Sequence, residues 1–232
     1  MPAGLDGNPD PIRSPARDAV LAGVAGDVLR RGAPGEPIAI GIDGAAGTGK
    51  STFADELGRV LASVGRPVIR STTDSFHNPR AARYRRGRAS AKGYFLDSHD
   101  LHALRALLLD PFREGRPFVT AAFDEPSDTA LTAVARAPQP DSVLVFDGLF
   151  LHRSELLASW SYSILLQAPR RTARARSEAA ERASATAHRY SGGWQLYVDE
   201  CRPEARADCV IDNDDFAAPR ILRRPPGVGV LG

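Results

Sequence analysis

Lysine is nearly missing from this chain. Of 30 basic side chains only Lys50 and Lys92 are lysines, and the rest are arginines. Cysteine is scarce as well. Cys201 and Cys209 are too few for a disulfide framework, and their spacing fits no common zinc site, so they read as two reduced thiols. No apolar run reaches the roughly 18 to 20 residues that a membrane helix needs. The opening stretch MPAGLDGNPDPIRSP has no apolar centre of the kind a signal peptide carries. A formal net charge of +2 is too small to imply nucleic-acid or membrane binding by itself. The expectation left by these absences is a cytoplasmic protein.

What is present fits a folded domain. The chain has 232 residues, 43% hydrophobic and 25% charged, enough for one sizeable core. Residues 1–14 are rich in Pro and Gly and read as a disordered lead-in, 15–216 as one domain, and 217–232 as a loose tail. Short apolar runs alternate with helical spacing along the domain. PIAIGI, RPVIRSTTD, SVLVFDG, YSILLQA and DCVID read as strands. The stretches beginning at ARDAV, STFAD, DSHDL, HRSEL, PRRTA and WQLYV read as helices, the third capped by Ser98 and stopped at Pro111. RPFVTAAFD and TALTAVARA, with EPSD between them, read as a hairpin. Phe76 to Leu96 is polar, Arg-rich and without period, which predicts a long loop. Alternating strands and helices imply an α/β fold: three layers, a mainly parallel sheet, flanking helices and one small β-hairpin.

The scarce lysine stands in GIDGAAGTGKST. Gly44, Gly49, Lys50 and Ser51 satisfy G-x-x-x-x-G-K-[ST], between an expected strand and an expected helix, which is the context this motif requires. Glycines there let backbone N–H groups point inward at a β-phosphate, and the following helix adds its positive end. The loop Gly44, Ala45, Ala46, Gly47, Thr48, Gly49, Lys50, Ser51 and Thr52 is therefore expected to hold the phosphates of a nucleotide. Lys50 would bridge the β- and γ-phosphates, and the Ser51 hydroxyl would ligate Mg²⁺. Asp147, at the end of the apolar run VLVFDG, is the second expected metal ligand. A third carboxylate, Asp74 in STTDSFH, lies just past a strand, where α/β sites form. It could orient an acceptor hydroxyl in line with the γ-phosphorus, or it could cap a turn among Ser71, Thr72, Thr73 and Ser75.

GIDGAAGTGKSTFADEL, TTDSFH, LVFDG and YVDECRPEARADCVID, taken together, resemble the uridine kinase-like family of P-loop kinases, which includes phosphoribulokinase and one type of pantothenate kinase. The resemblance spans Pro37 to Asp212. It implies a P-loop NTPase fold and ATP- and Mg²⁺-dependent transfer to a hydroxyl of a small metabolite, a nucleoside such as uridine or cytidine first among them. It implies that Asp74 is the catalytic base and that Asp97, in YFLDSHD, holds ribose hydroxyls. It implies a lid at about 170–190, whose Arg170, Arg171, Arg174 and Arg176 include a catalytic arginine, with Arg174 as the candidate. His77 and Phe123 fall at substrate positions, and a homo-oligomer is compatible with the resemblance.

All but one of the departures fall on the substrate side. Where uridine kinases read uracil with Tyr and His, this chain has Phe123 and Asp128. His77 replaces the usual Tyr after D-S-F, and Asp147 replaces a Glu. A non-nucleoside or already phosphorylated acceptor is the alternative, to which the Arg80 to Arg88 cluster lends either an anion-attracting arm or a solvated basic loop. A P-loop protein that binds nucleotide without kinase activity is a further alternative. A GTP switch would carry N-K-x-D, which does not occur here.

Overall fold

Two apolar runs far apart in the chain lie side by side at the centre of the sheet. The structure, a computed structural model, describes residues 14–176 and 187–225. Strand β1 (Ile38–Gly44) pairs in parallel with β5 (Val143–Gly148) on one side and β6 (Tyr162–Gln167) on the other. β2 (Val68–Thr72) adds outside β5, and β7 (Cys209–Asp212) outside β6, both parallel. A short antiparallel edge strand, β8 (Arg220–Arg223), completes the order β2-β5-β1-β6-β7-β8.

Because side chains alternate across a strand, the central strands feed two cores. Val143 and Val145 join Ile38, Ile40 and Ile42 against helices α1 (Pro15–Leu29) and α2 (Lys50–Ser63). Leu144 and Phe146 face the other way, toward Leu104, Leu108 and Phe112. This is the three-layer arrangement that the alternation of elements implies.

The Phe76 to Leu96 stretch is not a plain loop. A 3₁₀ turn (Thr73–Phe76) leads through α3 (Arg80–Arg83) to α4 (Ala91–Asp97). Helices this short show no full period in sequence. Ser98 ends α4 instead of starting the next helix. His77 and His99 form an antiparallel bridge at this point, and Asp100 takes over the cap by accepting from the Ala103 N–H at 2.8 Å.

Nor does Pro111 stop its helix. α5 (Leu101–Leu104) passes through a π-helical turn (Arg105–Leu109) into α6 (Asp110–Arg113). Proline cannot donate to Leu107, four residues back, and that carbonyl accepts from the Val119 N–H at 3.0 Å instead. The expected hairpin is present, with β3 (Phe123–Asp124) against β4 (Thr129–Ala130) and a bridge from Phe118 to Arg136.

The chain continues through α7 (Ser154–Leu157), α8 (Arg170–Arg176), α9 (Ala187–Cys201) and α10 (Pro203–Arg206). The expected loose tail at 217–232 is corrected in part. Its residues 220–223 are β8, held by the Arg220–Asp212 ion pair at 2.6 Å and by Ile221 packing on the first core. The remainder of that tail beyond 225, nearly all of the lead-in and the middle of the expected lid lie outside the described residues.

Candidate active site

β1 runs into the phosphate-loop motif and α2 leaves it. Gly47 and Gly49 have φ of 80° and 85°, conformations that favour glycine. Space demands it as well: a Cβ on Gly47 would run into the Ala173 carbonyl of α8. A Cβ on Gly49 would meet the Phe216 ring at 2.8 Å. The loop is braced from behind. Asn213 Nδ2 donates to the Thr48 carbonyl at 2.8 Å, and buried Arg17 donates to Asn213 Oδ1 at 3.2 Å while pairing with Glu56 at 2.6 Å. Gly44 through Thr52 thus run from the end of β1 through a braced turn into the first residues of α2.

Lys50 folds back over this turn and donates to the Ala45 carbonyl at 3.0 Å. Burial lowers its pKa, and the nearby charges of Asp147, Asp43 and Asp74 work against that shift. These carboxylates are the counter-charges a phosphate-binding lysine would have before nucleotide arrives.

Ser51 and Asp147 meet. The Ser51 hydroxyl donates to Asp147 Oδ2 at 2.7 Å, and Arg70 NH2 holds the other carboxylate oxygen at 2.8 Å. Asp147 reaches this point because β5 lies between β1 and β2, in register with Ile42 and Thr72. A hydroxyl and a carboxylate oxygen side by side are hard donors of the kind Mg²⁺ takes alongside phosphates and water, so the residues present fit that ion.

Asp74 stands exposed in the 3₁₀ turn after β2, at the rim of a cavity of about 550 Å³. His77, His99, Phe123 and Tyr94 line the same cavity. His77 Nδ1 lies 3.0 Å from the Asp74 carbonyl, and its ring sits 4.7 Å from that of His99. His99 is 7% exposed, and its Nε2 has no hydrogen-bond partner. Burial first, and then His77, push its pKa well down, so the ring is neutral. Burial and Asp74 push the Tyr94 phenol up, against the charge of Arg189.

Other expected residues are drawn elsewhere. Asp97 is 3% exposed, engaged by Arg85 and by Arg86, the latter at 2.8 Å, and does not line the cavity. Burial opposes its ionisation, but the two guanidinium groups outweigh that and hold the pKa below the usual range. Asp128 accepts from the Arg80 N–H at 2.7 Å and from Arg83 at 3.3 Å. Arg83 also pairs with Glu125. Arg174 is exposed, and Arg170 and Arg171 are exposed beside it. Arg176 donates to the Asn213 and Asp214 carbonyls and stacks on Phe216 at 3.8 Å, which ties α8 to the loop after β7.

The sequence reading passed over two residues. Asp43 is fully buried beside the phosphate loop and accepts from the N–H groups of Gly44, Phe150, Leu151 and His152, from His152 Nδ1 and from the Tyr197 hydroxyl. A carboxylate inside the apolar run PIAIGIDG was the available signal. Arg189, on α9, lines the cavity opposite no sequence motif at all.

No protein-family model matches the chain, and no curated protein matches it. Solved structures do. One described as a possible uridine kinase from Bacillus stearothermophilus shares 22% identity at a TM-score of 0.65, over 83% of this chain and 97% of that one. A D-glycerate 3-kinase from Cryptococcus neoformans shares 11% at 0.52, over 88% of this chain and 99% of that one. The chain has the α/β fold of these P-loop kinases. Among the described residues, no helix is long and apolar enough to cross a membrane.

Proposed function

We propose that the protein is an ATP-dependent phosphotransferase that passes the γ-phosphoryl group to an alcohol of a small metabolite. The observation that carries this reading is the placement of Asp74. It lies at the rim of a partly open cavity and within electrostatic range of Lys50, which also feels Asp147. A hydrolysing switch needs no such cavity on the far side of its γ-phosphate.

The roles follow from the positions. The turn from Gly44 to Thr52 cradles phosphates, Lys50 spans the β- and γ-groups, and Ser51 and Asp147 hold Mg²⁺. Mg²⁺ supplies charge neutralisation at the phosphates when bound. Asp74 accepts the hydrogen bond from the acceptor hydroxyl and takes its proton as the oxygen attacks. The reaction is mainly one of positioning, because its transition state is loose. Exposed Arg174 is available to meet phosphate charge from α8.

For the acceptor, a nucleoside such as uridine is the reading that resemblance favours. Two observations favour the alternative, a non-nucleoside or already phosphorylated metabolite: Asp97 is closed off by Arg85 and Arg86, and Asp128 by Arg80 and Arg83. The similar structures do not decide it, since their descriptions name uridine and glycerate. The test is ADP release from MgATP with uridine, cytidine, pantothenate, ribulose 5-phosphate and simple sugars, against a control without acceptor. Stimulation by any of them supports the kinase. Equal release without acceptor would assign a hydrolase instead.

A further inference from the structure

Four arginines are buried among the described residues: Arg17, Arg83, Arg153 and Arg189. Three have a carboxylate. Arg17 pairs with Glu56, Arg83 with Glu125 and Asp128, and Arg153 with Glu155. Arg189 is 4% exposed, and among the described residues no carboxylate lies within ion-pair distance of it. Its guanidinium lies over the rings of Tyr84 and Tyr94, 4.9 and 5.3 Å from their centroids. Its NH1 donates to the carbonyls of Arg88 and Ser90, at long distances of 3.4 and 3.3 Å.

A buried charge without a counter-ion is strongly unfavourable, and aromatic faces offset only part of that. An anionic ligand in the cavity would complete such a group. Arg189 lines the same cavity as Asp74, and the half-buried Tyr94 feels the charge of both. The cavity's other carboxylates are engaged, Glu125 by Arg83 and Asp124 by Ser127. His99 is neutral and brings no charge.

Building on the phosphotransferase reading, we propose that the acceptor carries an anionic group, a carboxylate or a phosphate, which Arg189 binds while Asp74 engages the hydroxyl. The planar guanidinium matches either oxyanion with two parallel hydrogen bonds. In the transfer the hydroxyl oxygen bonds to the γ-phosphorus, the bond from that phosphorus to the bridging oxygen breaks, and ADP leaves. The hydroxyl proton goes to Asp74. The anionic group is unchanged throughout and acts as the handle that orients its own molecule.

The test is made on the whole protein with Mg²⁺ and a non-hydrolysable ATP analogue filling the phosphate loop. Inorganic phosphate and, separately, acetate are titrated at constant ionic strength against chloride, with Tm as the readout. One of the two raises Tm in a saturable way, and which one does so tells a phosphorylated acceptor from a carboxylic one. Arg189→Gln moves half-saturation at least tenfold higher, by roughly the loss of one charge-assisted pair, and Arg189→Lys falls between. Without anions, the Tm of Arg189→Gln is no lower than wild type, whereas a structural arginine would lower it. A response no greater than chloride's, or equal half-saturation in wild type and Arg189→Gln, overturns the proposal. If the ATP analogue itself fails to stabilise the wild type, the phosphotransferase reading falls and takes this inference with it.

Discussion

Asp43 and Tyr197, 154 positions apart, are joined by a buried hydrogen bond from phenol to carboxylate. The same carboxylate collects the backbone N–H groups of Phe150, Leu151 and His152, so one side chain ties β1, the turn after β5 and α9 together. Phe150 sits in that turn at φ 66°, a conformation the carboxylate helps to hold. Asp43→Ala strands all these donors at once and is expected to cost about 3 to 5 kcal/mol. Thermal unfolding then shows Tm lower by roughly 10 °C. Tyr197→Phe, which removes one donor, is expected to cost only about 1 kcal/mol. Equal effects from the two would dismiss the hub.

Gly47 is expected to tolerate no side chain. Gly47→Ala combines a left-handed φ with a Cβ directed into the Ala173 carbonyl, so either the loop or α8 must shift. ATP affinity, measured by titration, should fall at least about tenfold, while stability falls by about 1 to 3 kcal/mol. Unchanged affinity would mean that the contact between α8 and the loop plays no part in shaping the nucleotide site.

Lys50→Ala removes the ammonium that now rests on the Ala45 carbonyl. Transfer should be abolished in an ADP-release assay, with Tm close to that of the wild type. Near-normal turnover would sink the phosphate-loop assignment.

Asp74→Asn keeps the shape of the turn but removes the proton acceptor. The expected result is a kcat lower by roughly 10²- to 10⁴-fold at nearly unchanged ATP affinity. A collapse of ATP affinity would instead make Asp74 a metal ligand or a structural cap.

His99 gives the protein an acid sensitivity whose sign is fixed. Its folded pKa lies well below the unfolded value of about 6.5. The unfolded chain therefore binds the proton first. Stability is full above pH ~6.5 and is lost as pH falls from there toward the depressed value. His99→Gln should flatten the fall in Tm between pH 6.5 and 5. A slope identical to wild type would place the acid sensitivity elsewhere.

What the sequence made legible was local. The phosphate loop announces itself in eight consecutive residues, and Asp147 and Asp74 follow apolar strands closely enough to be placed at their ends. Ser51 meeting Asp147 depends on β5 inserting between β1 and β2, a crossover that no local pattern in the sequence records. Asp43 was missed because most of its partners come from 107 to 154 residues away. Arg189 was missed because its meaning is the lack of a carboxylate beside it among the described residues, and no motif records that. Ser98 and Pro111 misled because a bridge between His77 and His99, and a carbonyl accepted by Val119, override local helix signals.

The arginine run at 80–88 reads as a strongly positive arm when its charges are simply counted. In the fold, Arg85 and Arg86 share the carboxylate of Asp97, while Glu125 and Asp128 both pair with Arg83, so three negative charges stand against three of the arginines. The effective charge of this face is therefore far below its formal charge. A polyanion approaching it would displace few small ions, and its attraction would fade only gently as salt is raised. Among the described residues, no such carboxylate stands beside the guanidinium of Arg189 in the cavity.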